Sequence, residues 1–292
     1  MILRSTAIPL LICGLLWPAP GQAAAAARPP RISGVLEADV QSEFSHIRVR
    51  RQGSLRMLCF VRDGGEEVVE TMLNLKRPYE PLIAYSRWMF ASYLFVPVGH
   101  RVLIVGLGGG AMVHFLRHYD AEAIVDAVEI DPAVVKIADR WFDVRRGENV
   151  RIFTEDGLAY LRRTEDRYDV IYMDAFLKPS RETDSTGLPL RLKTVQFYQD
   201  VQTKLTPGGV VVFNLNQHAS LAADIQALRS AFAQVYVFRT PEPNVVVVGS
   251  GAKPREPLSR LQAQAKTADH RLKASFSFQE LLKSLARDEP GG

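Results

Sequence analysis

Hydrophobic and polar positions alternate in two different ways along this chain, and the two patterns divide it. Between residues 35 and 73 the alternation has period two. There, residues 44–50 (FSHIRVR) and 54–62 (SLRMLCFVR) read as strands, with Asp63-Gly64-Gly65 as a turn. From residue 101 onward, short apolar runs rich in β-branched residues alternate with stretches of helical length. The runs at 101–105, 123–128, 150–153, 168–173 and 210–215 predict strands buried on both faces. Between them, helices are predicted over 111–118, 132–142, 158–163, 191–205 and 221–232, and two close strands, 235–239 and 244–248, form a terminal hairpin. A long apolar helix over 80–95, carrying Tyr85, Trp88, Met89, Tyr93 and Phe95, precedes the first of these strands. The fold class expected is α/β: a doubly wound, mostly parallel seven-stranded sheet whose last strand is antiparallel, preceded by a small antiparallel β domain. In these terms residues 31–78 are the β domain, 79–250 the Rossmann-type domain and 251–292 a polar helical tail, in which Ser277-x-x-Glu280 reads as a capping box.

The chemistry gathers around residues 101–131. A strand leads into Gly106, Leu107, Gly108, Gly109 and Gly110, a helix follows, and the next strand ends at Glu129. Gly106, Gly108 and Gly110 let the backbone approach a ligand closely beside free helix N–H groups, and an acid about 20 residues on suits a ribose diol. The loop alone fits a dinucleotide or an adenosyl ligand equally well. What separates them is that three consecutive strand ends finish in acid: Glu129, Asp156 and Asp174. Carboxyl ends of strands form the ligand crevice of such sheets. Glu129 then holds a ribose, Asp156 the exocyclic amine of adenine, and Asp174 faces the reacting groups. A nicotinamide enzyme has no special need of the last two, and the terminal hairpin favours the adenosylmethionine class of sheet. A plain helix-capping role for Asp156 stands beside the ligand role.

With these residues assembled, the chain from about residue 44 to 248 resembles the spermidine synthase (polyamine aminopropyltransferase) family. The carrying stretches are VLIVGLGGG, VEIDPAVVKIADRWF, EDG, YDVIYMDAF and LKTVQFYQDVQTKLTPGGVVV. The resemblance implies decarboxylated S-adenosylmethionine as co-substrate, a polyamine as acceptor, and a homodimer. It also places Glu129 at the ribose, Asp156-Gly157 at the adenine and Tyr85 near the acceptor nitrogen. An alkyl amine has a pKa of about 10, so it must lose a proton before it attacks the carbon beside the sulfonium.

The sequence departs from the family where amine binding is concerned. Family members carry an Asp in the glycine loop, where this chain has Gly109, and a second Asp three positions after Asp174, where it has Leu177. The family's Tyr-Gln pair of the N-terminal strand is Phe44-Ser45 here. Glu182 and Asp184, in the polar 177–187 loop, are candidate replacements. Three functions follow: aminopropyl transfer, methyl transfer from S-adenosylmethionine, or a non-catalytic relative that binds a nucleoside or polyamine.

Composition narrows the rest. A net charge of +4 over 292 residues, with no lysine or arginine block, speaks against a nucleic-acid partner. Arg4, an apolar stretch over 6–17 and the small residues after Pro18 read as a signal peptide over 1–25; cleaved, it implies a periplasmic or secreted protein with no membrane attachment, and uncleaved, a membrane-anchored or cytoplasmic one. Adenosylmethionine is a cytosolic metabolite, so export and the donor reaction pull against each other. Cys13 and Cys59 give no disulfide framework. His114 and His118, one helical turn apart, lack an evident third ligand, so no metal is expected and both read as a solvated helix face.

Overall fold

The computed structural model describes residues 32–286; the segment read as a signal peptide lies outside them. Among the described residues, no helix is long and apolar enough to cross a membrane. Four antiparallel strands come first, paired in chain order: β1 (Val35–Gln41), β2 (His46–Gln52), β3 (Leu55–Val61) and β4 (Glu67–Asn74). Their period-two pattern turns Ile47, Val49, Leu58 and Leu73 onto the core they share with the main sheet.

The predicted long helix is shorter than its apolar span. Pro81 occupies the lead-in, α1 covers only Ala84–Met89, and the chain then tightens into a 3-10 turn over Phe90–Leu94. All five residues of that turn are buried. The α/β unit follows: β5 (Arg101–Val105), α2 (Ala111–Tyr119), β6 (Ile124–Glu129), α3 (Pro132–Phe142), β7 (Val150–Thr154), α4 (Gly157–Arg163), β8 (Tyr168–Met173), α5 (Val195–Thr203), β9 (Leu205–Asn216), α6 (Leu221–Ala231), β10 (Gln234–Arg239) and β11 (Asn244–Ser250). The helix predicted over 191–205 begins only at Val195, because Thr194 accepts the Phe197 N–H at 3.1 Å and sets the boundary.

The seven strands lie in the order β10-β11-β9-β8-β5-β6-β7. Only β11 runs against its neighbours, as expected of the terminal hairpin. The continuous apolar runs are explained by double coverage. In β5, Val102 and Ile104 face one core while Leu103 and Val105 face the other. The first core contains the small sheet, α2 and α3; the second contains α4, α5 and α6.

Past β11 the tail forms α7 (Leu258–Leu272) and α8 (Phe278–Lys283). Ser277 caps α8 through the Glu280 N–H, the first half of the capping box, while the Glu280 carboxylate pairs with Lys283. The tail is polar in composition, yet Leu261, Ala265, Ala268 and Leu272 fall at helical spacing and are buried in the first core. The Trp88 indole of α1 donates to Ser284 Oγ at 2.6 Å, fastening the tail to the helix that carries Tyr85.

Candidate functional site

A cleft of about 1070 Å³, counting space open to solvent, lies across the carboxyl ends of β5, β6 and β8. Its floor is the glycine loop. Gly106 has φ of +95°, and a side chain there would run into the Asp174 carbonyl oxygen, so only glycine lets the ends of β5 and β8 lie together. Gly108 lines the cleft. Gly110 does not: it is buried against Val144 and forms the left-handed turn into α2. That differs from the expectation that all three loop glycines face the ligand. Its use is in turning the chain.

Glu129 ends β6 beside the loop. Its carboxylate accepts the Leu107 N–H at 2.9 Å and the Asp131 N–H at 3.0 Å, which fixes its orientation. Burial pushes its carboxyl above the ordinary range, while these backbone donors oppose the shift. Asp156 both caps α4, accepting the Ala159 N–H at 2.9 Å, and lines the cleft next to Gly157. Its second oxygen takes the Arg191 guanidinium, a partner that sequence reasoning missed. Asp174, at the end of β8, accepts from Asn214 Nδ2 at 2.8 Å and from the Tyr85 hydroxyl at 3.2 Å. Burial raises its carboxyl, and both hydrogen bonds hold it down. The Tyr85 phenol is pushed well above its ordinary value by burial and then by the Asp174 and Glu70 charges, so it stays a donor. Glu242 accepts the N–H groups of Ala84 and Tyr85, each at 3.2 Å, and sets the start of that helix.

The small sheet forms the facing wall, with Ser45, Phe60, Glu70, Thr71 and Met72. Thr71 Oγ1 accepts the Gly109 N–H at 2.9 Å. A Cβ at Gly109 would stand 2.8 Å from Thr71 Cγ2 and 3.0 Å from the Phe142 ring, so a side chain at this loop position forces those two to move. Glu70 was not singled out by sequence. It lines the cleft and also a second chamber, reached past Tyr85, Phe176 and Leu177. Burial pushes its carboxyl up to about 7, with Asp174 adding to the shift and Arg62 opposing it.

The loop acids do not replace the missing ones. Glu182 is exposed, and neither it nor Asp184 lines the cleft. Asp184 instead pairs with Lys193 Nζ at 2.8 Å, and Lys193 also reaches Asp224 at 2.6 Å. His218 stands beside them, 2.8 Å from Asp224. Asp184, His218 and Asp224 have a metal-like spacing, but the lysine ammonium lies among them. The two helix histidines part company. His114 is buried with its ring donating to the Phe142 carbonyl at 2.7 Å, which corrects the solvated-face expectation, while His118 stacks on Tyr79 at 3.6 Å.

The spermine/spermidine synthase domain model matches residues 84–250. The chain is 30% identical over 232 residues to a polyamine aminopropyltransferase of Vibrio vulnificus, covering 77% of this chain and 75% of that protein. The chain belongs to the spermine/spermidine synthase family. Two solved structures extend the comparison. Human methyltransferase-like protein 13 in complex with SAH is 25% identical, with a TM-score of 0.61 over 66% of this chain and 94% of that one. A probable spermidine synthase from Corynebacterium glutamicum, at 19% identity and a TM-score of 0.66, covers 90% of this chain and 98% of its own.

Proposed function

We propose that this chain transfers an aminopropyl group from decarboxylated S-adenosylmethionine to an amine acceptor of the polyamine class. The observation that carries the reading is the charge of the cleft. Among the described residues that line it, five carboxylates (Glu70, Glu129, Asp131, Asp156 and Asp174) stand against one guanidinium, and that guanidinium is already tied to Asp156. Decarboxylated S-adenosylmethionine carries a sulfonium and an ammonium and no carboxylate. It suits acid-rich walls, whereas a donor carboxylate would be repelled.

In this reading the Glu129 carboxylate, held by two backbone N–H groups, keeps lone pairs for the ribose hydroxyls. Asp156 and Gly157 meet the adenine edge, with Ile130, Pro189 and Leu192 offering apolar surface to the base. Asp174, fixed by Asn214 and Tyr85, orients the acceptor nitrogen toward the carbon beside sulfur. The leaving group is a neutral thioether, so alignment of nitrogen, carbon and sulfur supplies most of the acceleration.

Methyl transfer is the second reading, favoured by the likeness to human methyltransferase-like protein 13 and by the absence of acids at positions 109 and 177. Calorimetric titration of the protein with decarboxylated S-adenosylmethionine and with S-adenosylmethionine decides between them. Tighter binding of the decarboxylated donor, by at least about tenfold, is expected from the like-charge cost of the extra carboxylate. Tighter binding of S-adenosylmethionine would overturn the aminopropyl reading in favour of methyl transfer.

A further inference from the structure

With Gly109 and Leu177 in the chain, Asp174 is the one motif carboxylate beside the acceptor nitrogen, and its oxygens already accept from Asn214 and Tyr85; the small sheet supplies a further carboxylate that sequence motifs do not mark. We propose that Glu70, on β4, is the group that binds the cationic nitrogen of the acceptor and takes its proton, and that the acceptor is a primary alkylamine entering through the second chamber. This rests on the adenosyl-donor reading above.

Four observations converge on Glu70. It borders both the donor cleft and the second chamber, so it stands where an acceptor must meet a donor. Among the described residues no hydrogen bond or ion pair engages its carboxylate, unlike Glu129, Asp156 and Asp174. A half-buried carboxylate facing a cavity without a partner has a use for a cation. The charged and titratable groups facing it are Asp174 from β8, Tyr85 from α1 and Arg62 after β3, while Glu242 lies across the second chamber. Asp174 and Glu242 are carboxylates, against the one Arg62 guanidinium, and the neutral Tyr85 hydroxyl adds no positive charge, so a cation entering there is attracted. Finally, burial holds the Glu70 carboxyl at about 7, poised to accept a proton near neutral pH.

The step balances as follows. The acceptor arrives as an ammonium, and the Glu70 carboxylate removes one N–H proton to become a carboxylic acid. The freed nitrogen lone pair forms the new N–C bond to the carbon beside the donor sulfur. The C–S bond breaks with its electron pair passing to sulfur. The products are a secondary ammonium, a neutral thioether and protonated Glu70, with the net charge unchanged. The proton on Glu70 then leaves to solvent through the second chamber.

The test uses the full chain, 5′-methylthioadenosine as the donor-side probe and putrescine as the amine. Calorimetry measures 5′-methylthioadenosine binding first, then putrescine binding to that complex, for wild type, Glu70→Gln and Glu70→Asp. Glu70→Gln preserves shape and breaks no hydrogen bond, and thermal melting verifies that each variant is folded. The expected result is unchanged 5′-methylthioadenosine affinity with putrescine affinity at least about tenfold weaker in Glu70→Gln, and recovered in part by Glu70→Asp. The apparent proton exchange on amine binding, read from buffers of different ionisation heat, should be present in wild type and lost in Glu70→Gln. Putrescine binding equal in wild type and Glu70→Gln would overturn the role of Glu70 and leave the donor reading intact. Failure of wild type to bind 5′-methylthioadenosine would instead overturn the donor reading itself.

Discussion

The Tyr85 hydroxyl donates to Asp174 Oδ2 across 3.2 Å, joining the helix that follows the small sheet to the end of β8. The bond opposes the rise that burial imposes on Asp174, so its removal lifts that carboxyl further. In Tyr85→Phe, kcat/KM for amine transfer should fall about 10- to 100-fold. The acidic limb of the pH–rate profile should move to higher pH, since Asp174 then needs a higher pH to ionise. A profile of unchanged shape and height would separate Tyr85 from the reaction.

Glu70 links activity to stability. Its folded-state carboxyl sits at about 7 against an ordinary 4.5. A raised carboxyl stabilises the fold while it is protonated, and this stabilisation is lost as pH rises through 4.5 toward about 7. Glu70→Gln should therefore be more stable than wild type at pH 8, by roughly 1–3 kcal/mol after allowing for access to the cleft. The gain should shrink toward zero as pH falls to 4.5. Melting curves across that range measure it, and equal melting temperatures at pH 8 would show that Glu70 is not destabilising when charged.

Much of this arrangement was legible in the sequence, and the exceptions have physical causes. The strand runs, the turn glycines and the acids Glu129, Asp156 and Asp174 were readable because each is local to one strand and the turn after it. Glu70, Thr71, Arg191 and Asn214 were not. Glu70 and Thr71 are adjacent in β4, where a period-two pattern assigns them to opposite faces; the register shift opposite Leu58 and Cys59 brings both to the cleft. Their meeting with the glycine loop depends on how that sheet docks. Arg191 approaches Asp156 across the 177–192 segment, a long-range contact that no spacing reveals. The tail was partly readable, since Leu261, Ala265, Ala268 and Leu272 carry the helical stripe, but its polar average concealed it.

Gly109 provides a packing test. An Asp placed there meets Thr71 and Phe142 at its Cβ. Gly109→Asp should cost about 1–3 kcal/mol in urea unfolding. Adding Thr71→Ser removes the methyl group that stands 2.8 Å from the new Cβ and should recover part of the loss. A neutral Gly109→Asp would mean that the loop yields more readily than its contacts indicate.

Lys193 holds the segment that borders the cleft. Its ammonium neutralises Asp184 and Asp224, and hydrogen bonds from Lys193 and Thr186 outweigh burial to hold the Asp184 carboxyl down at about 2. A depressed carboxyl stabilises the fold above its ordinary 3.8 and loses that effect as pH falls toward about 2. Lys193→Met removes the one ammonium between the two acids, leaving Asp184 its Thr186 and Leu188 donors and Asp224 its His218 partner, and should cost about 3–5 kcal/mol at pH 7. The deficit should narrow in acid as the carboxylates protonate. Urea unfolding at pH 7 and at about pH 3 checks both parts, and a deficit under about 1 kcal/mol at pH 7 would place the cluster among exposed ion pairs of little effect.

The most direct test of the account is a transfer assay with decarboxylated S-adenosylmethionine isotopically labelled in its propyl chain, putrescine as acceptor and mass spectrometry of both products. The account predicts label on the amine and an equal amount of 5′-methylthioadenosine, with both lost in Asp174→Asn. Label remaining on the donor, under conditions where calorimetry shows donor and amine bound, would contradict it and mark the chain as a binding relative of the family.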